Sequence, residues 1–103
     1  MQQRALSVRQ RYEAHERERY GRPWSLEELT LGLVGDIGDL AKLIQAYEGV
    51  RGIDNVEPAL GHELADALWS LIVIADRCGI ALAASFLRTM DDLDRHLAHL
   101  DPA

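Results

Sequence analysis

The chain has 103 residues, 48% hydrophobic and 27% charged, with a formal net charge of −6 at pH 7. One globular domain is expected, too short to bury more than about 60–68% of its unfolded surface, so a second subunit is a natural supplement to its core. The acidic balance excludes a nucleic-acid clamp, the lone Cys78 excludes an intrachain disulfide framework, and apolar runs such as Leu71 to Ala75 fall far below the roughly 18 residues of a membrane span. Met1 is followed by polar residues rather than an apolar leader, so the expected compartment is the cytoplasm.

Four helices and no strand are predicted across a single domain, residues 1–103. Alternating β-branched runs are absent, and aromatics are 6% of the chain. The first helix covers about residues 3–19. It is mostly polar, with Leu6, Val8 and Tyr12 as weak apolar content, and ends before Gly21 and Pro23. It reads as a peripheral or interface helix.

The second helix covers about residues 26–48. Ser25 followed three residues later by Glu28 is a capping box. Apolar residues recur at Leu26, Leu29, Leu33, Ile37, Leu40, Ile44 and Tyr47, and Gly49 and Gly52 end the helix. Gly49 to Glu57 reads as a polar loop, and Pro58 suits a first helical turn.

The third helix covers about residues 58–78 and stops at Gly79. From Ala67 to Ala75 it is apolar nearly all round, with Trp69 and Val73 opposite Leu71. Such a helix is buried on every side, which in so short a chain calls for a second subunit, with Trp69 in the dimer core. The fourth helix, about residues 82–99, is amphipathic and carries Arg88, Asp91, Asp92, Asp94 and Arg95.

The informative residues are carboxylates at or beside apolar stripes. Asp36 and Asp39 are three apart, hence about 60° apart on one helix face. Asp36 falls at the edge of the Leu29/Leu33/Leu40 stripe. Glu63 and Asp66 repeat the spacing, with Glu63 between Leu60 and Ala67. One such pair alone is commonly a solvated face. Two pairs flanking one loop can converge if their helices pack antiparallel. Converging carboxylates repel one another and call for a counter-charge. Mg²⁺, with Mn²⁺ as a substitute, takes such oxygen ligands and leaves positions for phosphate oxygens. Gly32, Gly35 and Gly38 lie mid-helix at about 1 kcal/mol each against alanine, which small residues justify where a helix or a ligand approaches closely.

The segment Leu31 to Gln45, with Leu33-Val-Gly-Asp-Ile-Gly-Asp-Leu-Ala41 at its centre, resembles the first acidic helix of the MazG-like superfamily of all-α nucleotide pyrophosphohydrolases. His62 to Leu82 resembles the second. The family pattern Glu-x-x-Glu then Glu-x-x-Asp reads here as Asp36-x-x-Asp39 and Glu63-x-x-Asp66. The resemblance covers about Trp24 to Asp92 and is nearest the dCTP pyrophosphatase branch. It implies an antiparallel four-helix domain completed by dimerisation, or a tetramer of dimers. It also implies hydrolysis of a nucleoside triphosphate to monophosphate and pyrophosphate. By the same resemblance Asp36, Asp39, Glu63 and Asp66 are the Mg²⁺ ligands and catalytic acids.

Three departures stand out. Both acids of the first motif are aspartate. The branch's Lys-Met-Asp run is Thr89-Met90-Asp91 here, with Leu93 in place of an asparagine. The tryptophan expected after Gln45 is Ala46.

Further candidates bear two readings each. Trp24 is either a hydrophobic staple before the cap or a surface on which a base stacks. Arg88, beside Asp91, is either a phosphate contact or a solvated arginine. His62 is either a neighbour of the metal ligands or a surface histidine. His15 has no partner at ligand spacing, His96 and His99 read as solvent-facing residues that favour the helix dipole, and Cys78 reads as a small core residue. No phosphate loop, nucleophile elbow or zinc spacing is present.

The function expected is a Mg²⁺-dependent nucleoside triphosphate pyrophosphohydrolase that clears the nucleotide pool, with no nucleic acid or membrane as partner. The alternatives are a non-catalytic nucleotide or metal binder or helical interaction protein of the same fold, and a pyrophosphatase for a phosphoribosyl nucleotide.

Overall fold

Helix formation follows the local signals closely. The elements are α1 (Gln2–Tyr20), α2 (Leu26–Tyr47), α3 (Val56–Arg77) and α4 (Leu82–Leu100). The computed structural model describes residues 1–49 and 56–102, and no strand occurs among them. Most of the loop predicted from Gly49 to Glu57, Gly52 included, lies outside the described residues. Val56 and Glu57 already belong to α3.

The caps explain the boundaries. Ser25 Oγ accepts the Glu28 N–H at 3.2 Å, and Glu28 Oε1 accepts the Ser25 N–H at 3.0 Å. This completes the capping box and satisfies two otherwise free donors. Gly79, at φ 69°, ends α3 in a left-handed turn. Its N–H bonds to the Asp76 carbonyl at 3.0 Å, and the Ile80 N–H to the Ala75 carbonyl at 2.8 Å. A side chain at that φ would be strained.

α3 is the central element. It lies along α2, touches α1, and meets α4 only slightly. The buried apolar residues are Ala5 of α1, Leu29 and Ala46 of α2, and Ala67, Ile72, Val73 and Ala75 of α3. The seam of α2 differs from the predicted stripe. Leu29, Leu33, Asp36, Leu40, Leu43 and Ala46 turn inward, whereas Ile37, Ile44 and Tyr47 are exposed. Steps of four and three trace the narrow line of contact between two helices lying side by side, narrower than a stripe facing a broad core. Asp36 therefore stands in the seam rather than at its edge.

Three further expectations change. Cys78, read as a small core residue, is exposed just past the end of α3. Leu64, Leu68 and Leu71 are 51%, 41% and 47% exposed, so α3 is not covered on every side within one chain. Trp69, expected in a dimer core, packs instead on α1 of its own chain. Its ring lies 5.6 Å from that of Tyr12 and its Nε1–H donates to the Ala5 carbonyl at 3.0 Å. An indole needs one polar partner when it is covered, and α1 supplies it.

By length and overall apolar content α3 could cross a membrane, as the core helix of a soluble protein also could, although no unbroken apolar run in it is long enough. The apolar content is divided between the side packed on α2 and the uncovered side. The accessible surface is 8050 Å², against about 5,800 Å² for a folded monomer of this mass. The radius of gyration is 17.6 Å, against about 13 Å for a compact domain of this length.

Candidate metal centre and adjoining groove

The side-by-side packing of α2 and α3 brings the two acidic motifs together. Asp36, Asp39 and Glu63 each offer a carboxylate oxygen, all within 4.8 Å of one another. His62, Glu63 and Asp66 form a second group on the same criterion. Glu63 belongs to both, so the acids form a chain of neighbours with Glu63 in the middle. Asp36, Glu63 and Asp66 are half-buried, while Asp39 and His62 are exposed. His62 Nε2 lies 3.2 Å from Asp66 Oδ2, which places His62 beside the acids.

Among the described residues no lysine or arginine forms an ion pair with any of the four acids. No lysine or arginine among the described residues thus neutralises their charge. An all-oxygen donor set of carboxylates a few ångströms apart suits a hard divalent cation such as Mg²⁺. Gly35 and Gly38, expected to admit a neighbouring helix or ligand, border open space: a Cβ at either would meet nothing within 4 Å. Gly32 differs, because a Cβ there would sit 3.9 Å from Trp24 Cζ3.

A groove of about 530 Å³ adjoins the acids, with Asp36 and Asp66 on its wall. The rest of the wall comes largely from α1 and the start of α2, and includes Tyr12, Tyr20, Trp24 and Trp69. One side of the groove is therefore aromatic and one corner anionic. Trp24, 39% exposed, presents its ring where a ligand can reach it.

Beneath the groove lies a buried ion pair. Arg9 and Glu16 are 3% and 8% exposed. Arg9 Nη1 and Nη2 donate to Glu16 Oε2 and Oε1 at 2.9 and 2.6 Å. Burial by itself pushes the Glu16 carboxyl up, but the Arg9 hydrogen bonds, the Trp24 N–H and the Arg9 charge together hold it below its ordinary value. The Trp24 N–H reaches Glu16 Oε1 at 2.6 Å. At the surface nearby, Arg22 donates to Glu28 at 2.6 Å. That bond, aided by the Ser25 N–H, brings the Glu28 carboxyl down to about 2.

Arg88 and Asp91 stand apart from this site within the chain. Both are exposed on α4, and Arg88 reaches Ser85 Oγ at 3.5 Å. The groove residues Arg9, Tyr12, Glu16 and Trp69 were not among the predicted site residues. One signal was present: Ala5, Arg9, Tyr12 and Glu16 recur at steps of four, three and four, the spacing of a packed helix seam.

Known proteins share part of this chain. Over 78 residues it is 40% identical to dCTP pyrophosphatase 1 of Homo sapiens, and 37% and 35% identical to the proteins of the same name from Rattus norvegicus and Mus musculus. Each match covers 70% of this chain and 46% of the relative, so the chain spans about half the length of the curated relatives it matches. No family model matches the sequence, and no solved structure matches it. Over the matched residues the chain is related to nucleotide pyrophosphatases.

Proposed function

We propose that this protein is a Mg²⁺-dependent nucleoside triphosphate pyrophosphohydrolase that opens the α–β anhydride of its substrate with water, giving a monophosphate and pyrophosphate. The observation that carries the reading is the chain of acids centred on Glu63 at the corner of an aromatic groove. The similarity to dCTP pyrophosphatase 1 supports it.

Asp36, Asp39, Glu63 and Asp66 hold the cation, which when bound offsets the phosphate charge and polarises the anhydride. Whichever motif carboxylate keeps a free oxygen orients the attacking water and accepts its hydrogen bond. Trp24 and the neighbouring aromatic rings receive the base. His62 bonds to Asp66 and fixes the orientation of that carboxylate.

A nucleotide panel with Mg²⁺, read by pyrophosphate release, tests the activity. Glu63→Gln is expected to lower turnover by at least about 100-fold, since even groups one shell out from a metal cost up to that much. Its helical circular dichroism should be unchanged. Wild-type turnover in Glu63→Gln, or in Asp66→Asn, removes that residue from the proposed ligand set. A nucleotide binder without turnover is the second reading, favoured by the shorter Asp36–Asp39 pair. Calorimetry with Mg²⁺ and a non-hydrolysable nucleotide separates the two.

The working assembly is a homodimer, or a tetramer built from dimers, acting in the cytoplasm on free nucleotides with no nucleic acid or membrane as partner. The dimer reading rests on α4 and the outer side of α3. On α4, Phe86, Leu93, Leu97 and Leu100 are 57%, 48%, 50% and 66% exposed. Together with half-buried Met90 they recur in the steps of four and three of a helix-pairing seam. The surface in excess of a folded monomer, on the order of 2,000 Å² by the same mass scaling, is of the size that obligate dimers bury. Light scattering at micromolar protein should give twice or four times the chain mass, and a monomer there overturns the assembly.

A further inference from the structure

We infer that Glu16 is a positioning residue: clamped by Arg9, it holds the Trp24 backbone so that the indole forms a fixed stacking wall for the planar base of the substrate. This rests on the nucleotide reading above.

The argument begins with a cost. A carboxylate and a guanidinium removed from water lose hydration that their attraction only partly replaces. An ion pair buried in the otherwise polar α1 is therefore weak evidence for stability alone. Its geometry points elsewhere. Glu16 spends Oε1 on both Arg9 Nη2 and the N–H of Trp24, eight residues on. Trp24 precedes the cap of α2, so its N–H has no helical partner to bond. Its carbonyl is met from α3 by Arg77 Nη1 at 3.3 Å.

Both backbone polar groups of one residue are thus held by side chains of two other helices. Those helices, α1 and α3, are the ones whose Tyr12 and Trp69 rings line the same groove. The indole lies over Gly32 of α2, where an added Cβ would stand at ordinary contact distance, 3.9 Å from Trp24 Cζ3. Held in this way, the ring loses little freedom when a base stacks on it, which is the physical content of preorganisation.

Two double variants separate positioning from simple fastening of α1. Arg9→Met/Glu16→Leu removes the ion pair and the acceptor for the Trp24 N–H. Arg9→Met/Glu16→Gln removes the same ion pair and keeps an acceptor oxygen. Apolar replacement of a buried pair is commonly tolerated. Positioning predicts a KM rise of about tenfold in the Leu variant, the low end of one stacked base. Its kcat should stay within about twofold, and the Gln variant should recover most of the KM loss.

Acrylamide quenching of Trp24, read in a Trp69→Phe background, should rise with Leu and return with Gln. Equal KM in the two variants, or unchanged quenching, overturns the inference. If the Leu variant does not fold, Arg77→Ala replaces it. This removes only the carbonyl bond of an exposed arginine and should raise KM with kcat held; unchanged KM overturns the inference. If the wild type cleaves no nucleotide, the enzyme reading fails while the quenching comparison still decides the clamp.

Discussion

The first and last helices reverse the usual expectation for polar and amphipathic sequences. α1 is mostly polar, yet it buries Ala5, Arg9 and Glu16 and holds the tryptophan wall of the groove. α4 has the clearest division into apolar and charged faces, yet none of its residues is fully buried. Amphipathicity states that a helix needs a partner without saying that its own chain provides one. Polarity, in turn, does not prevent burial when each charge finds its opposite at hydrogen-bond distance.

The sharpest break in that comparison is Arg9→Ala. It leaves the Glu16 carboxylate buried without its cation, and breaking such a pair from one side costs on the order of 3–5 kcal/mol. The urea midpoint should fall accordingly. A shift under about 1 kcal/mol would show that the pair is solvated in the free protein.

Acid titration tests the same pair by another route. The Glu16 and Glu28 carboxyls both lie below the ordinary carboxylate value of 4.5. A depressed carboxyl binds its proton more readily in the unfolded chain, so its stabilisation is present above pH 4.5 and lost as pH falls. For Glu28 the loss spans pH 4.5 to about 2. Thermal midpoints of the wild type should fall through this window. Arg9→Met/Glu16→Leu should fall less steeply, and an equal slope would remove Glu16 from the account.

A smaller effect is expected at the junction of α1 and α2. Ser25→Ala removes one side of the capping box, at about 1 kcal/mol, measured by urea unfolding. The smallest belongs to α4. In dilute protein Leu97→Ser should change stability by less than about 0.5 kcal/mol, as for an exposed surface site. At higher concentration the same change should lower the thermal midpoint, because it removes part of the face a second copy would cover. A large loss in the dilute monomer would mean that α4 folds back on its own chain.

Much of the local architecture was legible in the residues. The capping box and the stops at Gly21 and Gly79 depend on neighbours a few positions apart, and the observed bounds lie within two residues of the predicted ones. The acid pairs were legible for the same reason: a spacing of three places both members on one helix face. Asp36 was placed at the edge of its stripe because helical periodicity alone does not reveal how wide the contact will be. Trp69 was assigned to another subunit because its true partner, the Ala5 carbonyl, is 64 residues away.

The sequence alone therefore determined four helices, the capping box of α2, the glycine stops of α1 and α3 and the two acidic motifs, since each is set by interactions within a few residues. Only the tertiary structure decided that Glu63 of the second motif meets both acids of the first, that α1 supplies the aromatic groove, and that α4 remains uncovered. Those outcomes depend on which helix lies against which, and that is governed by contacts between residues far apart in the chain.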